Sequence, residues 1–200
     1  SPMENILSLE TMKEGHDGSG LGLMLKDLGG PFKDLKDYPI LSTICSNKGV
    51  EDLTAFMKSR GFTEKFSWEP AIKNVPGVER RDHYLVKVYD YPEQYKDKSK
   101  TEKEDLLMNT RLAIRKMGEP DGSIFAFSFY PDVLTLKEVG DPLQLGEFFN
   151  LDKSDIKSKI VLAQGRQNTN YAIYLYACHP FFIQGYGPMT NGENTAFVPI

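Results

Sequence analysis

The sequence of 200 residues predicts a mixed α+β fold. Two apolar periodicities lead to this class: alternation at every second residue, typical of strands, and spacing of three or four residues, typical of helices. Segments of both kinds are interspersed along the chain, and strands outnumber helices. Hydrophobic residues make up 40% and charged residues 26%, which is ordinary for a globular domain. We therefore expect one folded domain over residues 1–200.

The first half alternates between the two patterns. Pro2 suits the first turn of a helix, which Gly15 ends. Apolar runs at 21–25 and 40–45 indicate buried strands, and helical spacing over 50–57 indicates a helix that stops at Gly61. Aromatic residues at 62–68 and alternation at 83–88 indicate two more strands. The charged stretch 91–104 favours a solvated loop.

The second half begins with a helix over 107–118, where apolar residues recur at helical spacing. Strands are predicted at 124–129, 134–139, 160–163 and 171–178 because these segments are apolar and contain aromatic or β-branched residues. A short helix is predicted at 143–149.

Charge and cysteine content exclude several classes of protein. The net charge of -4 and the lack of a basic block argue against nucleic acid as the main partner. No apolar run in these 200 residues reaches the length of a membrane span, and no secretory signal is expected from the first residues. Cys45 and Cys178 cannot form a disulfide scaffold, which favours a reducing, cytoplasmic location.

Simple catalytic patterns are weak in this sequence. Cysteine and histidine do not occur at zinc-ligand spacing, so no metal site is expected. Cys178 and His179 are strand neighbours and face opposite sides, which favours a buried structural role for Cys178, as for Cys45. Ser1 carries an α-amino group that could serve as its base, but a proline and a helix follow it, whereas such a nucleophile opens a strand.

Two polar segments carry the stronger chemistry. Gly165–Tyr171 contains Arg166, whose guanidinium suits bidentate binding of a carboxylate. Thr190–Asn194 contains Asn191 beside Gly192, an amide and a bare N–H that suit an oxyanion. Taken singly, the two segments are also typical of a surface turn and a hairpin turn.

These segments together resemble the class II glutamine amidotransferases, and most closely the glutaminase domain of glutamate synthase. That family has an arginine-threonine motif, a His/Pro element and a His-Asn-Gly-Glu motif, similar here to 165–170, 179–181 and 190–193. Residues 15–20 look like its early aspartate- and glycine-containing turn. The resemblance covers 3–28 and 122–198, and we interpret 47–118 as a family-specific insertion that folds as an ordered α/β appendage.

The resemblance implies an N-terminal nucleophile hydrolase fold, an αββα sandwich of two stacked sheets. It implies hydrolysis of L-glutamine through a cysteine thioester, with ammonia passing to a second site. Arg166 would bind the α-carboxylate, Thr169 would shape the pocket, and Asn191 and Gly192 would form the oxyanion hole. No cofactor is implied in this domain. FMN and an iron-sulfur cluster would belong to the synthase domain or subunit that is its partner.

The chain also departs from the family. The family opens with a cysteine on a strand that precedes the first helix, and the position before Asn191 is Thr190 instead of histidine. We therefore expect the 200 residues to be a fragment without the nucleophile, and inactive alone. Two alternatives remain: a non-catalytic scaffold with an amidotransferase-like fold, and a hydrolase that uses Ser1.

Overall fold

A computed structural model describes residues 2–4, 6, 19–167 and 180–188, and it has the mixed α+β class that the sequence predicts. The described strands are β1 (Ser19–Leu28), β2 (Pro39–Cys45), β3 (Thr63–Trp68), β4 (His83–Asp90), β5 (Ile124–Pro131), β6 (Val133–Val139) and β7 (Ser158–Gln167). The described helices of more than one turn are α1 (Asn47–Ser59), α2 (Lys100–Gly118) and α3 (Pro142–Phe148), and residues 2–4 and 6 are also helical. Single 3₁₀ turns occur at Gly30–Phe32 and Glu93–Tyr95.

The described strands form two antiparallel sheets. The first has the order β6-β1-β7 and the second has the order β3-β4-β2-β5. The strands β5 and β6 belong to different sheets and are joined through Asp132, which has a left-handed φ of 56°. A connection of one residue therefore links β5 of one sheet to β6 of the other.

The main core lies between the two sheets. Alternate residues of β1 and β6 face alternate residues of β2 and β4, as the period of two in a strand requires. The buried strand residues of this core are Leu21, Leu23, Leu25, Leu28, Ile40, Ile44, Tyr84, Val86, Val88, Phe127, Leu134 and Leu136. Phe148 and Phe149 close this core beside Tyr84, with ring centroids 5.5 Å from its ring.

A second core lies on the other face of the four-stranded sheet. Helices α1 and α2 cover this face with Leu53, Met57, Leu107 and Ile114, which pack on apolar residues of β2, β4 and β5. The described structure is thus a layer of helices on a sandwich of two sheets.

Helix α2 begins earlier than the sequence predicts. The charged stretch 91–104 was expected to be a loop, but the helix starts at Lys100. Ser99 and Glu102 form a reciprocal capping box, in which the Ser99 hydroxyl accepts from the Glu102 N–H and the Glu102 carboxylate accepts from the Ser99 N–H. This cap favours a helix in a segment without an apolar stripe.

The segment 47–118 is ordered α/β structure, as predicted, but it is not an appendage. It contributes α1, β3, β4 and α2, and β4 lies between β3 and β2 in the second sheet. The prediction of an appendage is wrong because the segment supplies strands to the sandwich itself. That it is an insertion relative to a family stays a prediction.

Candidate functional site

The candidate site begins at the end of the three-stranded sheet where β1 starts. Ser19 is opposite Gln167, and Gly20 is opposite Arg166 on one side and Val139 on the other. The end of the early glycine-containing turn and the start of the arginine segment are therefore neighbours across β1 and β7. The sequence separates Gly20 and Arg166 by most of its length, and the register of antiparallel strands brings them together.

The structure describes only part of the predicted site. The backbone of Arg166 lies in β7, so the segment from Gly165 to Gln167 continues a strand and does not form a turn. Thr169, Asn191 and Gly192 lie outside the described residues, as do the predicted strand 171–178 and Ser1. That these residues converge on one cleft stays a prediction.

A buried carboxylate lies on the inner side of this sheet end. Glu138 precedes Val139 on β6, pairs with Leu21 in register, and is 1% exposed. Its Oε2 accepts a hydrogen bond from the Tyr84 hydroxyl at 2.6 Å, and both oxygens accept from Nε of Arg81 at 3.2 and 3.3 Å. The Val139 N–H donates to Oε1 at 2.7 Å. The Glu138 carboxylate is thus held by three donor groups, one of which is the charged guanidinium of Arg81.

Burial dominates the proton affinity of Glu138. Desolvation raises its pKa, and the hydrogen bonds from Tyr84, Val139 and Arg81 oppose this rise. Desolvation and the neighbouring Glu138 also raise the pKa of the Tyr84 hydroxyl, which therefore stays protonated and remains a donor. The sequence signal for this cluster is the charged pair Lys137-Glu138 within a strand that is otherwise mostly apolar.

A buried cation lies close by on the same strand. Lys137 is 2% exposed, and its Nζ lies 4.7 Å from the ring centroid of Phe181 and 5.4 Å from that of Phe127. Lys137 and Gln164 are the two cross-strand partners of Gly22. Gly22 of β1 therefore lies between Lys137 and Gln164 and adds no side chain of its own. The face of an aromatic ring attracts a cation at such distances.

Cys45 is a structural cysteine, as the sequence predicts. It is 1% exposed, and its thiol lies 3.4 Å from the Thr43 hydroxyl. Burial raises the pKa of the thiol to about 11, so that it is protonated near neutral pH. His83 is its cross-strand partner, but the His83 Nε2 hydrogen-bonds to the Asn47 amide oxygen at 2.8 Å. Cys45 is therefore unsuited to act as a nucleophile.

Described residues line two surface depressions. One has a volume of about 500 Å³ and is lined by Leu112, Arg115, Lys116, Glu119, Pro120 and Phe125. The other has a volume of about 370 Å³ and is lined by Asn74, Val75, Pro76, Val78, Arg80 and Phe148. Within the described ranges, no cluster of three or more His, Cys, Asp or Glu side chains is arranged to hold a metal ion. None of the described helices is long and apolar enough to cross a membrane.

Comparison with known proteins does not assign the chain to a family. No protein-family model matches the chain, and no curated protein matches it. The functional interpretation therefore depends on the motif residues and on where the described strands place them.

Proposed function

We propose that this chain is the glutamine-binding part of a class II glutamine amidotransferase similar to glutamate synthase. In the intact protein, glutamine is hydrolysed to glutamate and ammonia, and the ammonia passes to a synthase domain or subunit that carries FMN and an iron-sulfur cluster. The fold proposed is the αββα sandwich of the N-terminal nucleophile hydrolases, in a cytoplasmic protein. The observation that carries the proposal is the register of β1 and β7, in which Gly20 is opposite Arg166.

The register supports the proposal because a glutamine site needs separate motifs at one place. The early turn at 15–20 and the arginine segment at 165–170 are far apart in sequence, and their ends are adjacent in the sheet. Two face-to-face antiparallel sheets with helices on one outer face are also compatible with this fold.

In the proposed chemistry, different residues bind the two ends of the glutamine molecule. The Arg166 guanidinium binds the α-carboxylate of glutamine through two parallel hydrogen bonds. The Asn191 amide and the Gly192 N–H stabilise the negative charge that develops on the side-chain amide oxygen of glutamine when its carbonyl carbon is attacked. Thr169 shapes the pocket between them.

The test measures glutamine binding by the chain. We expect L-glutamine to bind in calorimetry, and L-glutamine amide, which lacks the α-carboxylate, to bind at least about tenfold more weakly. Arg166→Lys keeps the charge but loses the planar pair of donors, so it should weaken L-glutamine binding by about tenfold. Arg60→Lys, at an exposed position after α1, is the matched control and should leave binding unchanged.

Two outcomes would contradict different parts of the proposal. Equal binding of L-glutamine and its amide would exclude a carboxylate clamp. No binding of L-glutamine by the chain or by the full-length protein would exclude the amidotransferase function. Glutamine binding with no hydrolysis in the full-length protein would favour the scaffold alternative.

A further inference from the structure

The larger of the two surface depressions lies between the C-terminal half of α2 and β5. Its volume of about 500 Å³ falls within the range of about 300–1,000 Å³ that is typical of small-molecule sites. Leu112, Pro120 and Phe125 form its apolar lining, and Leu112 is 38% exposed. The depression is therefore an open groove with an apolar surface, large enough for a small organic molecule.

Positively charged side chains predominate around this groove. Arg115 and Lys116 line it, and Arg111 lies one turn before Arg115 on the same face of α2. The acidic residue that lines it, Glu119, is held by Arg115, whose Nε and Nη2 donate to the two carboxylate oxygens at 2.6 and 3.1 Å. Arg111 and Lys116 form no ion pair with a carboxylate in the described part of the chain. The groove thus has a local excess of positive charge on a chain whose net charge is -4.

The Arg111 guanidinium is half-buried and is held against β5. Its Nη1 donates to the Phe127 carbonyl at 3.2 Å, and its other N–H groups make no hydrogen bond to the described residues. Burial and the neighbouring Arg115 lower the pKa of Arg111, while Glu119 opposes this change. The charged guanidinium is therefore destabilised where it lies. A carboxylate in the groove would offset this cost and could accept two parallel hydrogen bonds from the free donors.

The contact of Arg111 with β5 also argues against a peptide strand as the ligand. The strand β5 is at the end of the described order of the second sheet, where an extended peptide could add to its outer edge. Phe127 has no register partner in β2, so its carbonyl is open to another donor, and Arg111 occupies it. An added strand would have to displace the guanidinium, whereas a small molecule can bind the guanidinium in place.

We propose that this groove binds a small organic anion whose carboxylate interacts with Arg111 and Lys116. The apolar body of the ligand packs on Leu112, Pro120 and Phe125. An aromatic body suits this lining, because aromatic rings pack favourably on the ring of a phenylalanine. Glutamine has a short polar body that does not match the lining, so this ligand differs from the proposed substrate.

The test compares two probes of nearly the same shape, 1-naphthaleneacetate and its neutral amide, 1-naphthaleneacetamide. In titrations of the 200-residue chain followed by two-dimensional NMR, we expect the acetate to shift the amide signals of Leu112 and Phe125 saturably, with a Kd below about 1 mM. The neutral probe should bind about tenfold more weakly, because it lacks the charge that strengthens hydrogen bonds to a guanidinium. A higher salt concentration should weaken binding of the acetate only.

Substitutions separate the charge from the apolar lining. Arg111→Gln keeps a donor for the Phe127 carbonyl but removes the charge, so it should weaken binding of the acetate about tenfold and leave the neutral probe unchanged. Lys116→Gln, at an exposed position, should weaken the acetate about threefold. Leu112→Ser should weaken both probes to a similar extent. Lys58→Gln, at an exposed position of α1, is the matched control and should affect neither probe.

Three kinds of outcome would overturn the proposal. Equal binding of the two probes, or acetate binding that neither Arg111→Gln nor Lys116→Gln weakens, would exclude an anion site. No saturable shift, or shifts confined to residues outside the groove, would exclude a ligand site at this place. Binding of poly-glutamate without binding of the acetate would show that the groove takes an acidic polypeptide instead of a small anion. Because glutamine takes no part in these measurements, each outcome leaves the proposed function in place.

Discussion

Glu138 is a carboxyl group whose burial links the stability of the protein to pH. Its pKa is raised above the ordinary glutamate value, so the folded protein binds this proton more tightly than the unfolded chain does. Its contribution to the free energy of unfolding is fully present below the ordinary pKa of glutamate and is lost as the pH rises through the raised pKa of the folded state. Arg81 limits this loss, since it offers a guanidinium to the charged form.

We expect Glu138→Gln to remove this pH dependence. The free energy of unfolding of the variant minus that of the wild type should increase as the pH rises from about 4 to 7. The reason is that Glu138 of the wild type loses its proton in this range, whereas glutamine at this position has none to lose. Urea unfolding at several pH values measures this difference, with Glu51→Gln at an exposed position of α1 as the control. A difference that is constant with pH would contradict the account.

The thiol of Cys45 should be inert in the folded protein. A pKa of about 11 leaves on the order of a hundredfold less thiolate at pH 8 than a free cysteine has, and the side chain is 1% exposed. Labelling with iodoacetamide, followed by mass analysis of the peptide that contains Cys45, should show reaction only in urea. Labelling of native protein at the rate of free cysteine would show that the thiol is accessible.

At the scale of elements, Gly49 allows α1 to lie against the second sheet. A Cβ on Gly49 would lie 2.0 Å from the carbonyl oxygen of Ser123, in the residue before β5. The Ser46 hydroxyl caps α1 by accepting from the Gly49 N–H at 3.0 Å, so the helix cannot easily move away. Close approach, and not turn geometry, is therefore the reason for this glycine.

Gly49→Ala accordingly sets two effects against each other. Alanine favours a helix by about 1 kcal/mol over glycine, whereas forcing atoms into a packed contact costs about 1–3 kcal/mol. Because the contacted atom belongs to the backbone, we expect the cost to exceed the gain and the free energy of unfolding to fall. Chemical denaturation measures the change, and Glu51→Ala, on the exposed face of the same helix, should have little effect. Unchanged stability would mean that α1 can shift.

The helices and strands themselves could largely be predicted from local pattern. Alternation at 83–88, the apolar segment at 134–139 and helical spacing at 107–118 correspond to β4, β6 and α2. The start of α2 was missed because a capping box and a solvated helical turn leave no apolar stripe. Local signals at helix ends compete with the charge pattern, and here Ser99 and Glu102 decide the boundary.

At the scale of the whole molecule, the pairing of strands could not be predicted from local pattern. The position of β4 between β3 and β2 depends on the packing of both faces of the second sheet, so 47–118 was expected to lie outside the sandwich. The ion pair of Arg81 and the buried Glu138 joins the loop before β4 to β6 of the other sheet, and local pattern does not predict it for the same reason. The motif at Arg166 was visible in the sequence, but its neighbour Gly20 follows only from the register.

The 200-residue chain alone should release no ammonia from glutamine. An oxyanion hole without a nucleophile accelerates the reaction by only about 10²–10³, which is far below enzymatic turnover. Cys45 cannot supply the thiolate, because it is buried and its pKa is about 11. Coupled assay of ammonia against a protein-free blank measures this, with Asn191→Ala as the control for contaminating glutaminase.

A positive result would be informative only if it is traced to a residue. Activity that Asn191→Ala abolishes and that acetylation of the α-amino group also abolishes would assign Ser1 as the nucleophile, since its own amine is the base in such a mechanism. Activity that survives acetylation but not Cys178→Ala would assign that thiol instead. Either outcome would contradict the prediction that the chain alone is inactive, while the proposed binding of glutamine by Arg166 would stand.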